Sequence, residues 1–249
     1  MPPSTDIDWN SIGDPFEDRT AKEILQYSLE EFLPKGKVLF LTAFGPEGCV
    51  IMKILSDIFN EGKIKNRENF LIANLDTNYQ FKETLELKDK LEAKYGMPIE
   101  MVQPKLTIAE QEAKYGKNLY ETDPDQCCYI RKLVPLANLL ENKFAWITSI
   151  RRDQTEVRAK AKAIEYDRKF KLGKINPLIK WTKSDIWKYI HENEIPYNLL
   201  LDQGYDSIGC EPCTKPGVDR QGRWVGKDKI ECGIHLQDSE QEQGGEFVI

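Results

Sequence analysis

Six cysteines carry most of the chemistry open to this 249-residue chain, and their spacing sorts them. Cys210 and Cys213 form a Cys-x-x-Cys pair in the stretch from Asp206 to Pro216. Such a pair alone fits half a metal site, a redox dithiol or a disulfide. Cys127 and Cys128 are adjacent, followed by Arg131 and Lys132. Cys232 stands alone in Glu231-Cys-Gly-Ile-His235. Two pairs and one single thiol point to a four-thiolate site with a separate nucleophile. Neighbouring side chains on an extended chain point apart, so Cys127 and Cys128 share a centre only where the backbone bends. Structural zinc sites favour a spaced pair on each side, whereas an iron–sulfur cube takes one thiolate per iron. Spacing therefore ranks a cluster first, leaving zinc and unliganded core cysteines open. Cys49 lies in an apolar helical pattern with Val50, Ile51, Ile54 and Leu55 and reads as core.

Cys232 follows Arg223, Lys227 and Lys229, and positive neighbours raise the thiolate fraction of a cysteine. Arg131, Lys132, Arg151, Arg152, Arg220 and Arg223 fall beside cysteines or strand ends, where guanidinium forks bind phosphate and sulfate oxygens. The loop from Thr42 to Gly48, between a strand and a helix, can offer backbone N–H groups to a phosphate. It lacks the Lys and Ser/Thr of a Walker loop.

These residues need a scaffold. Apolar runs at Lys37–Thr42, Asn69–Leu75, Ile99–Val102 and Ala145–Thr148 are expected strands. Helical spacing marks Ala21–Phe32, Cys49–Asn60 and Phe81–Lys94, and Thr182-Lys-Ser-Asp185 opens a helix through His191. The alternation implies an α/β fold, a mostly parallel sheet flanked by helices, with ligands at the carboxyl strand ends. Ala163–Ile175 is expected as a hairpin or irregular insertion, and residues 1–19 as a surface wrap. The divisions are an extension and helix at 1–36, a nucleotide-binding core at 37–197 and a segment at 198–249 of the same domain. That last segment holds the Cys-x-x-Cys pair and the candidate nucleophile; its tail is expected to be mobile, and solvated beyond Asp238.

Hydrophobic residues make 40% and charged residues 31%, as in globular proteins, and no apolar run reaches a membrane span. The first ten residues are polar with two prolines, which points to a cytoplasmic protein. Six cysteines there favour metal binding or catalysis over disulfides. A net charge of −6 argues against nonspecific nucleic-acid binding, so an anionic substrate needs a local basic cluster.

Taken together, Phe44-Gly-Pro-Glu-Gly48, Leu75-Asp-Thr77, Cys127-Cys128 with Arg131-Lys132, Ile150-Arg-Arg152, Gly209-Cys-Glu-Pro-Cys-Thr214, Gly222-Arg-Trp224 and Glu231-Cys-Gly-Ile-His235 resemble the assimilatory adenylyl-sulfate (APS) reductases. These are the iron–sulfur branch of the PAPS/APS reductase family, within the PP-loop-like adenine nucleotide alpha hydrolase superfamily. The resemblance spans about residues 38 to 236. It implies that Cys127, Cys128, Cys210 and Cys213 ligate a 4Fe-4S cluster and that Cys232 is the nucleophile. It maps substrate contacts onto Thr42, Phe44, Gly45, Leu75, Thr77, Lys132, Arg151, Arg152, Arg223 and His235. Thr42 and Ala43 replace serines common in the family, Asn78 a turn glycine, and Ser149 the glycine before the arginine pair. The activity implied is reduction of APS to sulfite and AMP through a cysteine S-sulfonate, with thioredoxin or a glutaredoxin-like protein as reductant. A homo-oligomer is expected. The alternatives are a PAPS or dual APS/PAPS reductase and, from another class, a PP-loop ATP pyrophosphatase or tRNA-thiolating enzyme.

Overall fold

The computed structural model describes residues 7–235. Its first half runs α1 (Trp9–Gly13), α2 (Ala21–Phe32), β1 (Val38–Leu41), α3 (Pro46–Asn60), β2 (Phe70–Leu75), α4 (Lys82–Tyr95) and β3 (Glu100–Val102). The helices α5 (Ile108–Tyr115), α6 (Leu119–Thr122), α7 (Pro124–Cys128) and α8 (Val134–Leu140) follow. Then come β4 (Ala145–Ile147), β5 (Ile164–Asp167), β6 (Leu172–Ile175) and α9 (Lys183–Glu192).

The strands join in the order β3-β2-β1-β4-β6-β5, parallel except for the β5–β6 hairpin. β1 pairs with both β2 and β4, from Val38 opposite Phe70 and Ala145. Its run Val38-Leu-Phe40 is wholly buried, as a strand covered on both faces must be. The chain moves outward from β1 in one direction to β3, then returns to add β4 on the other side. The strand order thus reverses between β1 and β4, the place where open α/β sheets form a ligand crevice. The hairpin over 163–175 is regular, and its β6 lies inside the sheet.

Residues 7–16 do not merely wrap the surface. Trp9 is buried, packed against the rings of Phe32 and Phe144. Gly173 on β6 makes room for it, since a Cβ there would lie 2.2 Å from the indole. The Pro- and Asp-rich composition hid this one aromatic anchor. The tail beyond residue 238 lies outside the described residues.

Residues 124–140 form one helical run interrupted by a π-turn at Tyr129–Leu133. Single π-turns widen a helix and often mark functional sites. The cysteines lie just before it, at the end of α7, where the helical backbone supplies the bend that two adjacent side chains need to share one recess.

Candidate active site

A cavity of about 550 Å³ opens at the β1/β4 crevice. Its floor is the loop after β1 (Thr42, Ala43, Gly45) and the loop after β4 (Thr148–Arg151). Gly45 caps α3 and Pro46 occupies its first turn, so that helix points unsatisfied N–H groups toward the space. Thr42 is buried, and its hydroxyl accepts the Phe44 N–H at 3.0 Å, so it braces the loop. Gly48 leaves room for that hydroxyl; a Cβ there would lie 2.4 Å from it.

The C-terminal segment forms the opposite wall, with Arg220, Arg223, Trp224, Glu231, Cys232, Ile234 and His235. Of the residues expected to bind substrate, Thr42, Gly45, Leu75, Lys132, Arg151, Arg223 and His235 line the cavity with Cys232. Phe44, Thr77 and Arg152 do not. Phe44 is buried at a left-handed φ of 58°. Arg152 turns away to Glu17 at 2.6 Å and the Ala161 carbonyl at 2.9 Å. The Thr77 hydroxyl lies 3.3 Å from the sulfur of Cys210.

Six cations line the cavity, and most are already matched. Arg151 pairs with Glu47 and, at 2.9 Å, with Asp153. Arg158 and Arg220 share Glu231, and Lys183 pairs with Asp206 and Asp219. Among the described residues, Lys132 and Arg223 alone of the six have no carboxylate partner. Arg223 Cζ sits over Trp224, 4.5 Å from the ring centroid, and the buried Nε of Arg223 has no hydrogen-bond partner. These two are placed to meet an incoming anion.

The half-buried Cys232 thiol feels both. Burial pushes its pKa up, but Lys132, the Ile234 N–H and Arg223 outweigh burial and hold it below the ordinary thiol value. Cys49 is the contrast: sealed in the core, its thiol is pushed up to about 12 by burial. His235 stacks on Trp146 at 5.7 Å with the rings 12° apart. Burial, then the charges of Arg158 and Lys174, hold its pKa well below the usual value, so it stays neutral. It is an aromatic wall and not a proton donor at neutral pH.

Cys127, Cys128, Cys210 and Cys213 surround a second, smaller recess with Tyr79, Tyr120, Arg131 and Lys132. The Cys-x-x-Cys turn docks on the β2 turn: the Glu211 N–H donates to the Tyr79 carbonyl at 2.7 Å. The β2 turn depends on Asn78, which takes φ 58°, a value asparagine tolerates nearly as glycine does. Arg131, a phosphate-binding candidate by sequence, is instead buried here. It donates to Thr77 O at 2.6 Å, Gln111 Oε1 at 3.0 Å and Asn78 Oδ1 at 2.5 Å. All its acceptors are neutral. Burial and the neighbouring thiols push Cys127 up to about 12 and Cys213 to about 11. Among the described residues no three His, Cys, Asp or Glu side chains are grouped to hold a single metal ion. A polynuclear centre does not need that, since each of its metals takes one thiolate. Four thiols, two buried and two half-buried, beside two cations without carboxylates fit an anionic thiolate cluster.

Sequence reasoning overlooked Glu47, Arg158 and Lys183 as cavity residues. Arg158 carries no local signal, because only the fold brings it to Glu231. Glu231 was visible as the neighbour of Cys232, but its carboxylate was not weighed.

Comparison with known proteins agrees with this geometry. Residues 37–216 match the family model described as the phosphoadenosine phosphosulfate reductase domain. An adenosine 5'-phosphosulfate reductase from Bacillus thuringiensis is 39% identical over 232 residues, covering 91% of this chain and 95% of that one. One from Oceanobacillus iheyensis is 40% identical over 241 residues, covering 92% and 96%. The crystal structure of phosphoadenylyl-sulfate reductase from Candida auris, a phosphate complex, superposes with a TM-score of 0.69 at 26% identity, covering 83% and 96%. With its four-thiol recess and a single thiol in a cationic crevice, this chain belongs to the phosphoadenosine phosphosulfate reductase family.

Proposed function

We propose that the chain reduces adenylyl sulfate to sulfite and AMP in sulfate assimilation, using Cys232 as nucleophile. The observation that carries this reading is that Lys132 and Arg223, the cavity cations without carboxylates, are also the two that depress the Cys232 pKa. An anion drawn to them arrives beside a thiolate. The first turn of α3 receives the nucleotide phosphate. The Cys232 thiolate then bonds to the sulfate sulfur. The bond from that sulfur to the bridging phosphate oxygen breaks, and AMP leaves with the electron pair. Lys132 and Arg223 offset the charge that would otherwise repel a thiolate from a sulfate. A reduced dithiol protein, thioredoxin or a glutaredoxin-like protein, next attacks Cys232 Sγ. Sulfite leaves with the sulfur–sulfur electron pair, the partner's second thiol closes its disulfide, and Cys232 returns as thiolate.

Cys127, Cys128, Cys210 and Cys213 would hold a 4Fe-4S cluster. When bound it supplies a fixed anion that balances Arg131 and Lys132 and cross-links α7 to the C-terminal segment. Thr77 and His235 keep supporting roles in this reading, at Cys210 and on Trp146. Phe44 and Arg152 shape the loops that present Gly45 and Arg151. The enzyme is read as cytoplasmic and homo-oligomeric; among the described residues no helix is long and apolar enough to cross a membrane.

The test is sulfite release from the anaerobically purified enzyme with APS and PAPS in parallel, each with reduced thioredoxin. APS is expected to be the faster substrate. Without thioredoxin, APS should add about 80 Da to Cys232, the mass of SO₃ on a covalent intermediate. Cys232→Ser should keep the iron, bind APS and release no sulfite. Turnover by that variant, or the mass on another cysteine, would remove Cys232 from its role.

A further inference from the structure

The residue before the nucleophile is the most heavily anchored side chain of the C-terminal segment. Glu231 Oε2 accepts from Arg158 Nη2 at 3.0 Å and Arg220 Nη2 at 3.2 Å. Its Oε1 accepts from the Thr155 hydroxyl at 3.2 Å. The carboxylate is buried, its side chain 3% exposed. Arg220 belongs to the same segment and also donates to the Ile230 carbonyl at 2.8 Å, so it stiffens the turn that carries Glu231. Arg158 and Thr155 belong to the body, in the loop after β4. The link runs on from Arg158 to Gln154 at 2.5 Å, from Gln154 to Glu47 at 3.1 Å, and from Glu47 to Arg151. The position of Cys232 is thus tied, through ion pairs joined by the neutral Gln154 amide, to the first turn of α3, where the substrate phosphate is expected.

The apolar contribution around this anchor is small. Val225 and Ile230 are 56% and 70% exposed; the apolar contacts of the segment are the buried Trp224, Ile234 against the Leu39–Trp146 cluster and the His235 stack on Trp146, and the others are polar. These include Lys227 to the Glu121 carbonyl at 2.7 Å and Lys169 to the Gly233 carbonyl at 2.8 Å. Removing one partner of a buried ion pair leaves the other charges uncompensated in low dielectric. Removing Glu231 would leave both Arg158 and Arg220 in that state. Among the described residues, two ion pairs tie residues 226–235 to the body, Glu231–Arg158 and Lys229–Asp125, and only the first is buried on both sides, so Glu231 is the charge that holds the cysteine end of the segment.

We infer that Glu231 is a positioning residue: acting through Arg158, it fixes Cys232 in the closed cavity and so divides the catalytic cycle between its two halves. This rests on the two-step reading above. Attack on the sulfate sulfur requires Cys232 docked against Lys132 and Arg223. Attack by a dithiol protein on the sulfonated cysteine requires that sulfur to leave the cavity. The Glu231–Arg158 contact favours the first step and opposes the second.

The test uses Glu231→Gln in the iron-loaded enzyme, with Glu231→Asp beside it to keep the charge on a shorter arm. Hydrogen exchange with AMP bound should be at least tenfold faster across 226–235 in Glu231→Gln, with α7 and the sheet unchanged. Single-turnover sulfonation by APS should slow at least tenfold. Reduction of the preformed Cys232 adduct by thioredoxin should hold or quicken. Glu231→Asp should fall between wild type and Glu231→Gln in both steps. Equal slowing of both steps, or unchanged exchange in the segment, would overturn the assignment. Should Glu231→Gln lose iron, the same comparisons made on Glu231→Asp decide. Failure of the wild-type enzyme to form any adduct would count against the two-step reading alone, and hydrogen exchange would still judge the anchor.

Discussion

At the scale of single residues, Gly209 and Arg223 show how a small residue can aim a large one. The Arg223 guanidinium lies where a Gly209 side chain would be: a built Cβ falls 2.1 Å from Nη2 and 2.3 Å from Cζ. Arg223 is a flexible side chain, so Gly209→Ala should move the guanidinium while sparing the fold and the iron content. APS binding, measured by competition with AMP, should weaken about tenfold in that variant. Arg223→Ala and Lys132→Ala should each lose roughly 1.5–3 kcal/mol, the range for hydrogen bonds to charged groups. Combining Gly209→Ala with Arg223→Ala should add little further loss, because the glycine acts only through the arginine. Cys232 offers a second check. Its pKa is lowered in the fold, so its alkylation by iodoacetamide should rise with pH at a lower midpoint than that of the same cysteine in the unfolded chain. Lys132→Ala removes the largest charge holding it down, so that midpoint should climb. A midpoint unmoved by Lys132→Ala would break the electrostatic account. The cysteine grouping was legible in the sequence because chemistry and spacing are local. The opposite fates of Arg131 and Lys132 were not, since they depend on a π-turn that periodicity does not encode.

At the scale of elements, three helices begin with the same device. Thr20 with Glu23, Thr107 with Glu110 and Thr182 with Asp185 form reciprocal capping boxes. Only the last was read from the sequence, although Thr107-Ile-Ala-Glu110 spells the same pattern. The Thr107 box matters most here, because α5 carries the buried Gln111 that accepts from Arg131 at 3.0 Å. Thr107→Ala should cost about 1 kcal/mol of stability, measured by urea unfolding. Backbone and side-chain hydrogen bonds from Thr107 hold the Glu110 carboxyl below its usual pKa. A carboxyl depressed in the fold stabilises above its unfolded pKa, about 4.3, and loses that contribution as pH falls through the folded value. The penalty of Thr107→Ala should therefore shrink below about pH 4. Long periodic helices and apolar strands were legible because burial imposes their repeat. The short helices α6 and α8 were not, since neither has a side-chain cap to announce its start.

At the scale of the whole molecule, the site is a meeting of three distant stretches: the α7 cysteines, the Cys-x-x-Cys turn and the loop that carries Cys232. Protein purified without oxygen should be brown and contain about four irons per chain, as a thiolate-bound cube requires. Cys→Ser at Cys127, Cys128, Cys210 or Cys213 should lose that iron; zinc in its place would refute the cluster. The sheet order was within reach of the sequence only as a class, because the βαβ alternation fixes parallel pairing but not which strand sits beside β1. The burial of Trp9 has a consequence for how the chain is made. The notch that receives its indole is lined by Phe32, Phe144 and Gly173, and the last of these is translated long after residue 9. Until β6 is added to the sheet, that aromatic side chain has no finished berth, and long-range pairing of this kind is slow to form. Residues 7–16 therefore reach their final place only once the far end of the sheet has formed.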